Sequence, residues 1–278
     1  MKNTKIIAAI TALTAIAGLS FSACGSSNNS AAKEDKTITV AASTTPHAEI
    51  LNNVVKPILQ KEGYKLNVKE FTDYVQPNAA VEEGEVDANY HQHLPYLDNY
   101  NKEKGSHIVS IGGVHFEPFG LYPGKTKAIK DLKSGAVVAV PNDPTNEARA
   151  LLLLQDAGLI KLKDPKDINS TKKDIVSNPK NLQFKELDAS LVPTVVKDVD
   201  LAALNGNYAI QAGFNPLKDP LTIEKVGSVA AKTYENIVAV KKSNEKIAKI
   251  KALFKALRTP EVHNYITKQY KGAVLPVF

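Results

Sequence analysis

Asn146 and Arg149 stand three residues apart in VVAVPNDPTNEARALLLL, residues 137–154. That spacing sets both on one face of a helix, near its amino end. Free backbone N–H groups and the helix dipole favour an anion there. Arginine is also a rare choice in this chain: of 35 basic residues, only Arg149 and Arg258 are arginines. A planar guanidinium holds a carboxylate or phosphate through paired hydrogen bonds, which lysine cannot do. An ordinary salt bridge uses the same side chain, so its meaning depends on what else the chain brings to it.

Five further polar clusters bear on that question: Tyr74–Asn78, Tyr90–His93, His115–Glu117, Asn205–Tyr208 and Tyr234–Asn236. His91 and His93 alternate, so on extended backbone they face one side. Two readings follow. In one, His91, His93, His115 and Glu117 ligate zinc or manganese, which suits their types and the His-x-His spacing. In the other, the site holds a zwitterionic amino acid. Arg149 then pairs with the carboxylate, Asn205 and Asn236 offer carbonyls to the ammonium, and tyrosines and histidines wall the side chain. The metal reading sets a divalent ion beside a cationic arginine and gives the asparagines no role. Nothing directs the reading toward catalysis: the chain has no Gly-x-Ser-x-Gly, no phosphate-cradling glycine loop and no His-Glu-x-x-His.

The elements that must position these residues alternate between strand and helix. Residues 37–42 and 66–71 read as strands flanking a helix over 48–59, an order that implies a parallel pair. Helices over 78–84 and 95–104 and strands over 88–90, 107–111 and 114–122 follow. The alternation restarts with a β-branched strand over 137–140. Asp143 is a candidate N-cap and Pro144 suits the first position of a helix reaching Asp156. Strands over 182–187, 201–204 and 236–240, with a helical segment over 190–197, complete the second set. An amphipathic helix over 246–257 and a last helix, capped by Thr259–Pro260–Glu261, close the chain. Each polar cluster lies at a strand end, where open α/β sheets place ligands.

The amino terminus reads as a targeting segment. Lys2 and Lys5 precede an apolar run over 6–19, and Ser22–Ala23 lead into Cys24, the only cysteine. This resembles a bacterial lipoprotein signal, which implies that Cys24 is lipid-modified, carries fatty acyl chains such as palmitate, and becomes the mature terminus. Residues 24–36 are small and polar and read as a flexible tether. No later segment is apolar for long enough to span a bilayer. The formal charge is +6, falling by two when Lys2 and Lys5 are removed, and the lysines are dispersed, so the chain is not expected to bind nucleic acid.

TPHAEIL (45–51), DYVQPN (73–78), QHLPYL (92–97), VAVPNDPTNEARALLLL (138–154), NGNYA (205–209) and YKGAVLP (270–276) together resemble the methionine-binding lipoproteins of ABC importers. The resemblance covers essentially the whole mature chain. It implies an α/β, two-lobed, periplasmic-binding-protein-like (type II) fold with the ligand cleft between lobes. Residues 37–118 and 235–278 then form one lobe and 119–234 the other. It implies no enzyme activity and no cofactor. The partners it implies are methionine, most often the L-form and in some members D-methionine or a methionine dipeptide, and a permease driven by a cytoplasmic ATPase. The protein is expected to act as a monomer, held by its lipid on the extracytoplasmic face of the cell membrane. Carried over by residue, Arg149 matches the carboxylate-binding arginine, Asn205 and Asn236 the amino-acid-binding asparagines, and Tyr74, His91 and His93 the side-chain pocket. His91 departs from the phenylalanine of many members, and Glu117 adds a possible ammonium contact.

Overall fold

A computed structural model describes residues 35–225 and 232–278. The expected signal segment, the lipid-modified Cys24 and all of the tether but Asp35 and Lys36 lie outside the described residues. Among the described residues no helix is long and apolar enough to cross a membrane.

Two sheets organise the chain. The first runs in the order Leu275–Pro276, Ile108–Phe116, Asn236–Lys241, Ala88–His93, Thr37–Ser43, Lys65–Phe71. Thr37–Ser43 pairs in parallel with both Lys65–Phe71 and Ala88–His93, as a strand–helix–strand order requires. Asn236–Lys241 comes back from the second half of the chain and lies antiparallel between Ala88–His93 and Ile108–Phe116. The second sheet runs Thr222–Ile223, Gly120–Pro123, Leu201–Leu204, Val137–Pro141, Gln183–Leu187. Val137–Pro141 pairs in parallel with both its neighbours.

Each sheet has its own core. Ile38, Val40, Tyr90, Val238 and Val240 of the first pack with Ile250, Leu253, Leu257, Val262 and Ile266 from the last two helices, Ala248–Leu257 and Pro260–Tyr270. In the second, Leu121, Val138, Val140 and Leu201 pack with Leu151 and Leu154 of the helix Pro144–Asp156. The chain crosses between the sheets after Phe116 and returns before Asn236.

Several elements differ from the sequence expectation in ways that matter for the site. The strand expected over 88–90 runs on as Ala88–His93, wholly buried, so His91 and His93 lie within it rather than after it. The helix expected over 48–59 begins earlier, with wide turns over Thr44–Ala48 and Leu51–Val55 before Lys56–Lys61. The segment 190–197 winds as tighter 3₁₀ turns over Val192–Asp198. Thr259 starts the last helix but does not cap it by its side chain, because its hydroxyl donates to the Ala256 carbonyl, 3.2 Å away.

Candidate functional site

The helix Pro144–Asp156 starts as its sequence dictates. Asp143 is extended and its carboxylate accepts the Asn146 backbone N–H at 3.0 Å, with Pro144 in the first turn. The same carboxylate takes both reachable positions of the Asn146 amide, Nδ2 lying 3.0 and 2.9 Å from its oxygens. One cap therefore fixes the helix start and aims Asn146 Oδ1 outward. That oxygen accepts from Asn205 Nδ2 at 2.8 Å and from His93 Nε2 at 3.2 Å.

These groups belong to the wall of a narrow cavity lined by Tyr74, His91, Gln92, His93, Tyr96, Asn146, Arg149, Asn205, Asn207 and Asn236. Tyr74, His91, His93, Asn146, Arg149, Asn205 and Asn236 are thus brought together. Glu117 is not in the wall. It lies beside it, and a Cβ on Gly206 would meet its Cβ at 2.7 Å, so only glycine lets the Asn205–Asn207 turn approach so closely.

Bond partners fix the histidine tautomers. The Tyr96 backbone N–H donates to His93 Nδ1 at 3.2 Å, so His93 carries its proton on Nε2 and donates it to Asn146. His91 donates from Nε2 to the Tyr74 carbonyl at 3.1 Å, leaving Nδ1 as an acceptor. Burial, with help from the charges of His47 for His91 and Arg149 for His93, pulls both imidazoles down to about 3. Both rings are neutral at physiological pH.

Arg149 departs from the expected free fork. Its Nε and Nη2 clasp the Glu224 carboxylate at 2.7 and 2.5 Å, and Nη2 also donates to the Glu117 carbonyl at 2.9 Å. The guanidinium lies 4.4 Å from the centre of the Tyr234 ring and 5.1 Å from that of Phe119. Burial disfavours its charge, but the charge and bonds of Glu224 outweigh that and hold it firmly protonated. Only the Nη1 edge is without a partner among the described residues. Asn236 Oδ1 already takes one bond, His47 Nε2 lying 2.9 Å from it.

Three buried atoms of the wall lack partners among the described residues: Asn205 Oδ1, Asn207 Nδ2 and His91 Nδ1. Two are acceptors and one is a donor, and the Arg149 Nη1 edge adds donors beside them. Leaving such groups unpaired costs about 1–3 kcal/mol each, so a polar occupant that satisfies them is strongly favoured. An anionic end meets Arg149 and Asn207, and an ammonium end meets Asn205. The rings close the rest: Tyr74 sits 5.7 Å from Tyr96 and 4.9 Å from Tyr208, centre to centre.

The metal set of His91, His93, His115 and Glu117 is not assembled. His91 and His93 bond into the cavity wall, whereas His115 and Glu117 meet His47 behind it. Sequence reasoning also missed Gln92, Tyr96, Asn207 and Glu224. Asn207 was within reach, standing in the same NGNY block as Asn205. Glu224 was not, being a lone acid 75 residues from the arginine that it clasps.

The NlpA lipoprotein family model matches residues 38–278. A methionine-binding lipoprotein, MetQ, of Bacillus subtilis is 45% identical over 259 residues, spanning 92% of this chain and 93% of the relative. A nutrient-binding protein from Burkholderia cenocepacia, solved bound to methionine, is 45% identical with a TM-score of 0.81, over 87% of this chain and 100% of that one. The periplasmic substrate-binding protein of an ABC transporter from Coxiella burnetii is 44% identical with a TM-score of 0.80, over 86% and 100%.

Proposed function

The chain belongs to the NlpA lipoprotein family, and from that premise we propose that it binds methionine outside the cytoplasm and delivers it to an ABC permease. Cys24, lipid-modified, holds it to the cell membrane through the tether, and a cytoplasmic ATPase drives the permease. The protein works as a monomer, with residues 37–118 and 235–278 as one lobe and 119–234 as the other.

The observation that carries this reading is the set of unpaired polar atoms in one small cavity. Arg149 Nη1 and Asn207 Nδ2 suit the carboxylate of an amino acid, and Asn205 Oδ1 suits its ammonium. Glu224 supports the arrangement from behind: by clasping Nε and Nη2 it leaves one edge of Arg149 to the ligand. Tyr74, His91, His93 and Tyr96 then receive the side chain. A thioether is soft and packs on ring edges at about 0.3–1.5 kcal/mol per contact.

Calorimetry on protein unfolded and refolded to strip carried-over ligand, in EDTA, tests the reading with L-methionine, D-methionine and Gly-Met. L-methionine is expected to bind most tightly, and Arg149→Ala to abolish that heat while circular dichroism shows a folded chain. Near-native affinity in folded Arg149→Ala refutes the carboxylate role.

A further inference from the structure

Behind the cavity wall, the carboxylate of Glu117 is buried and its side chain meets no lysine or arginine side chain in an ion pair among the described residues. Two imidazoles close on it instead. His115 Nε2 lies 2.6 Å and His47 Nε2 lies 3.6 Å from Glu117 Oε1. The three side chains come from separate places: the turn after the first strand, the end of Ile108–Phe116 and the crossing segment that follows. Each ring has one further side-chain partner. The Tyr90 hydroxyl bonds His115 Nδ1, and Asn236 Oδ1 lies 2.9 Å from His47 Nε2. Among the described residues this is the one group of three histidine, cysteine or acidic side chains whose ligand atoms converge, all within 4.8 Å.

We propose that His47, His115 and Glu117 form a divalent-cation site of the zinc class, set behind Asn236 and separate from the amino-acid cavity. Two imidazoles and one carboxylate are a common zinc donor set. At bond lengths of about 2.0–2.2 Å, two donors on a tetrahedral ion stand about 3.3 Å apart. The 3.6 Å between His47 and Glu117 is close to that already. The 2.6 Å contact of His115 is a hydrogen bond whose proton an ion replaces, and it widens modestly on loading. Loading moves each ring proton to Nδ1. On His47 that atom is buried, with the Thr45 backbone beside the ring to accept the proton. Asn236 Oδ1 gives up its bond from His47 Nε2 on loading. The positive charge of Arg149 does not oppose the ion, because Glu224 offsets it in a bidentate pair.

The site does not use Arg149, Asn205 or Asn207, on which the methionine reading rests, so the two readings fail separately. EDTA-stripped protein is dialysed against zinc chloride, and cobalt is used as a spectroscopic stand-in. One equivalent of zinc is expected for the wild type, with a tetrahedral cobalt spectrum. Glu117→Gln, close in shape, and His115→Ala are expected to lose it. Tyr90→Phe, which removes only a hydrogen bond to a ligand, is expected to weaken it about tenfold. Asn205→Ala is expected to keep the zinc while losing methionine. Thermal melts check that each variant is folded. The proposal is overturned if the wild type takes up no zinc saturably, or if uptake persists undiminished in folded Glu117→Gln.

Discussion

At the scale of single residues, the cavity combines a charge kept on with two charges kept off. Glu224 keeps Arg149 cationic, whereas burial keeps His91 and His93 neutral, each near 3 against an ordinary 6.5. In the unfolded chain both histidines take up protons as pH falls through 6.5, while in the folded chain they do not. Their contribution to stability is therefore fully present above pH 6.5 and is lost as pH drops below it toward 3, by up to about 1.4 kcal/mol per pH unit for each. Glu117 and Asp143, both pushed up by burial, act in the opposite sense, so the comparison has to be internal. Urea unfolding of the metal-free protein is expected to show a shallower loss of stability between pH 7 and 5 in His91→Phe than in the wild type; parallel curves would remove His91 from the account. His91 was legible as a ring at the site because His-x-His on a strand puts both rings on one face. Its neutrality was not, since that follows from burial, which sequence alone does not measure.

At the scale of elements, the Asp143 cap joins folding to recognition. It closes the start of Pro144–Asp156 and at the same time orients Asn146, which in turn receives Asn205 and His93. Asp143→Ala is expected to cost about 1 kcal/mol in urea unfolding, as lost caps do. It is also expected to weaken methionine binding measured by calorimetry, because a freed Asn146 no longer holds Asn205. Asp143→Asn, able to cap, should restore the stability more fully than the affinity. This element was the most legible part of the chain: strand, Asp-Pro start, apolar face and arginine are all local signals. What escaped was long-range. Of the three further residues of Ala88–His93, Gln92 and His93 pair with Asn236–Lys241, a strand that arrives from far along the chain, and His91 sits at the register shift beside them, so no local pattern marked how far the strand runs. The clasp on Arg149 was equally invisible, since Glu224 comes within reach only through the second crossing.

At the scale of the whole molecule, the two lobes are already joined across the cleft. Tyr74 donates to Asn207 Oδ1 at 2.6 Å, Tyr208 donates to the Thr72 carbonyl at 2.9 Å, and His93 bridges to Asn146. None of these bonds requires an occupant. Stopped-flow mixing with methionine is expected to give an observed rate that levels off at high concentration, at the rate of opening. Tyr208→Phe removes one bond of about 1 kcal/mol and should raise that plateau about fivefold; a rate rising linearly without limit in both proteins would count against a shut resting state. The same three bonds govern departure. A closure held by contacts of its own sets the residence time of an occupant by how often Tyr208 and Tyr74 let go and not by how much free ligand surrounds it. Under the proposed function, a permease that draws Thr72 from Tyr208 and Tyr74 from Asn207 speeds unloading, so cargo leaves faster at the membrane than on the way there.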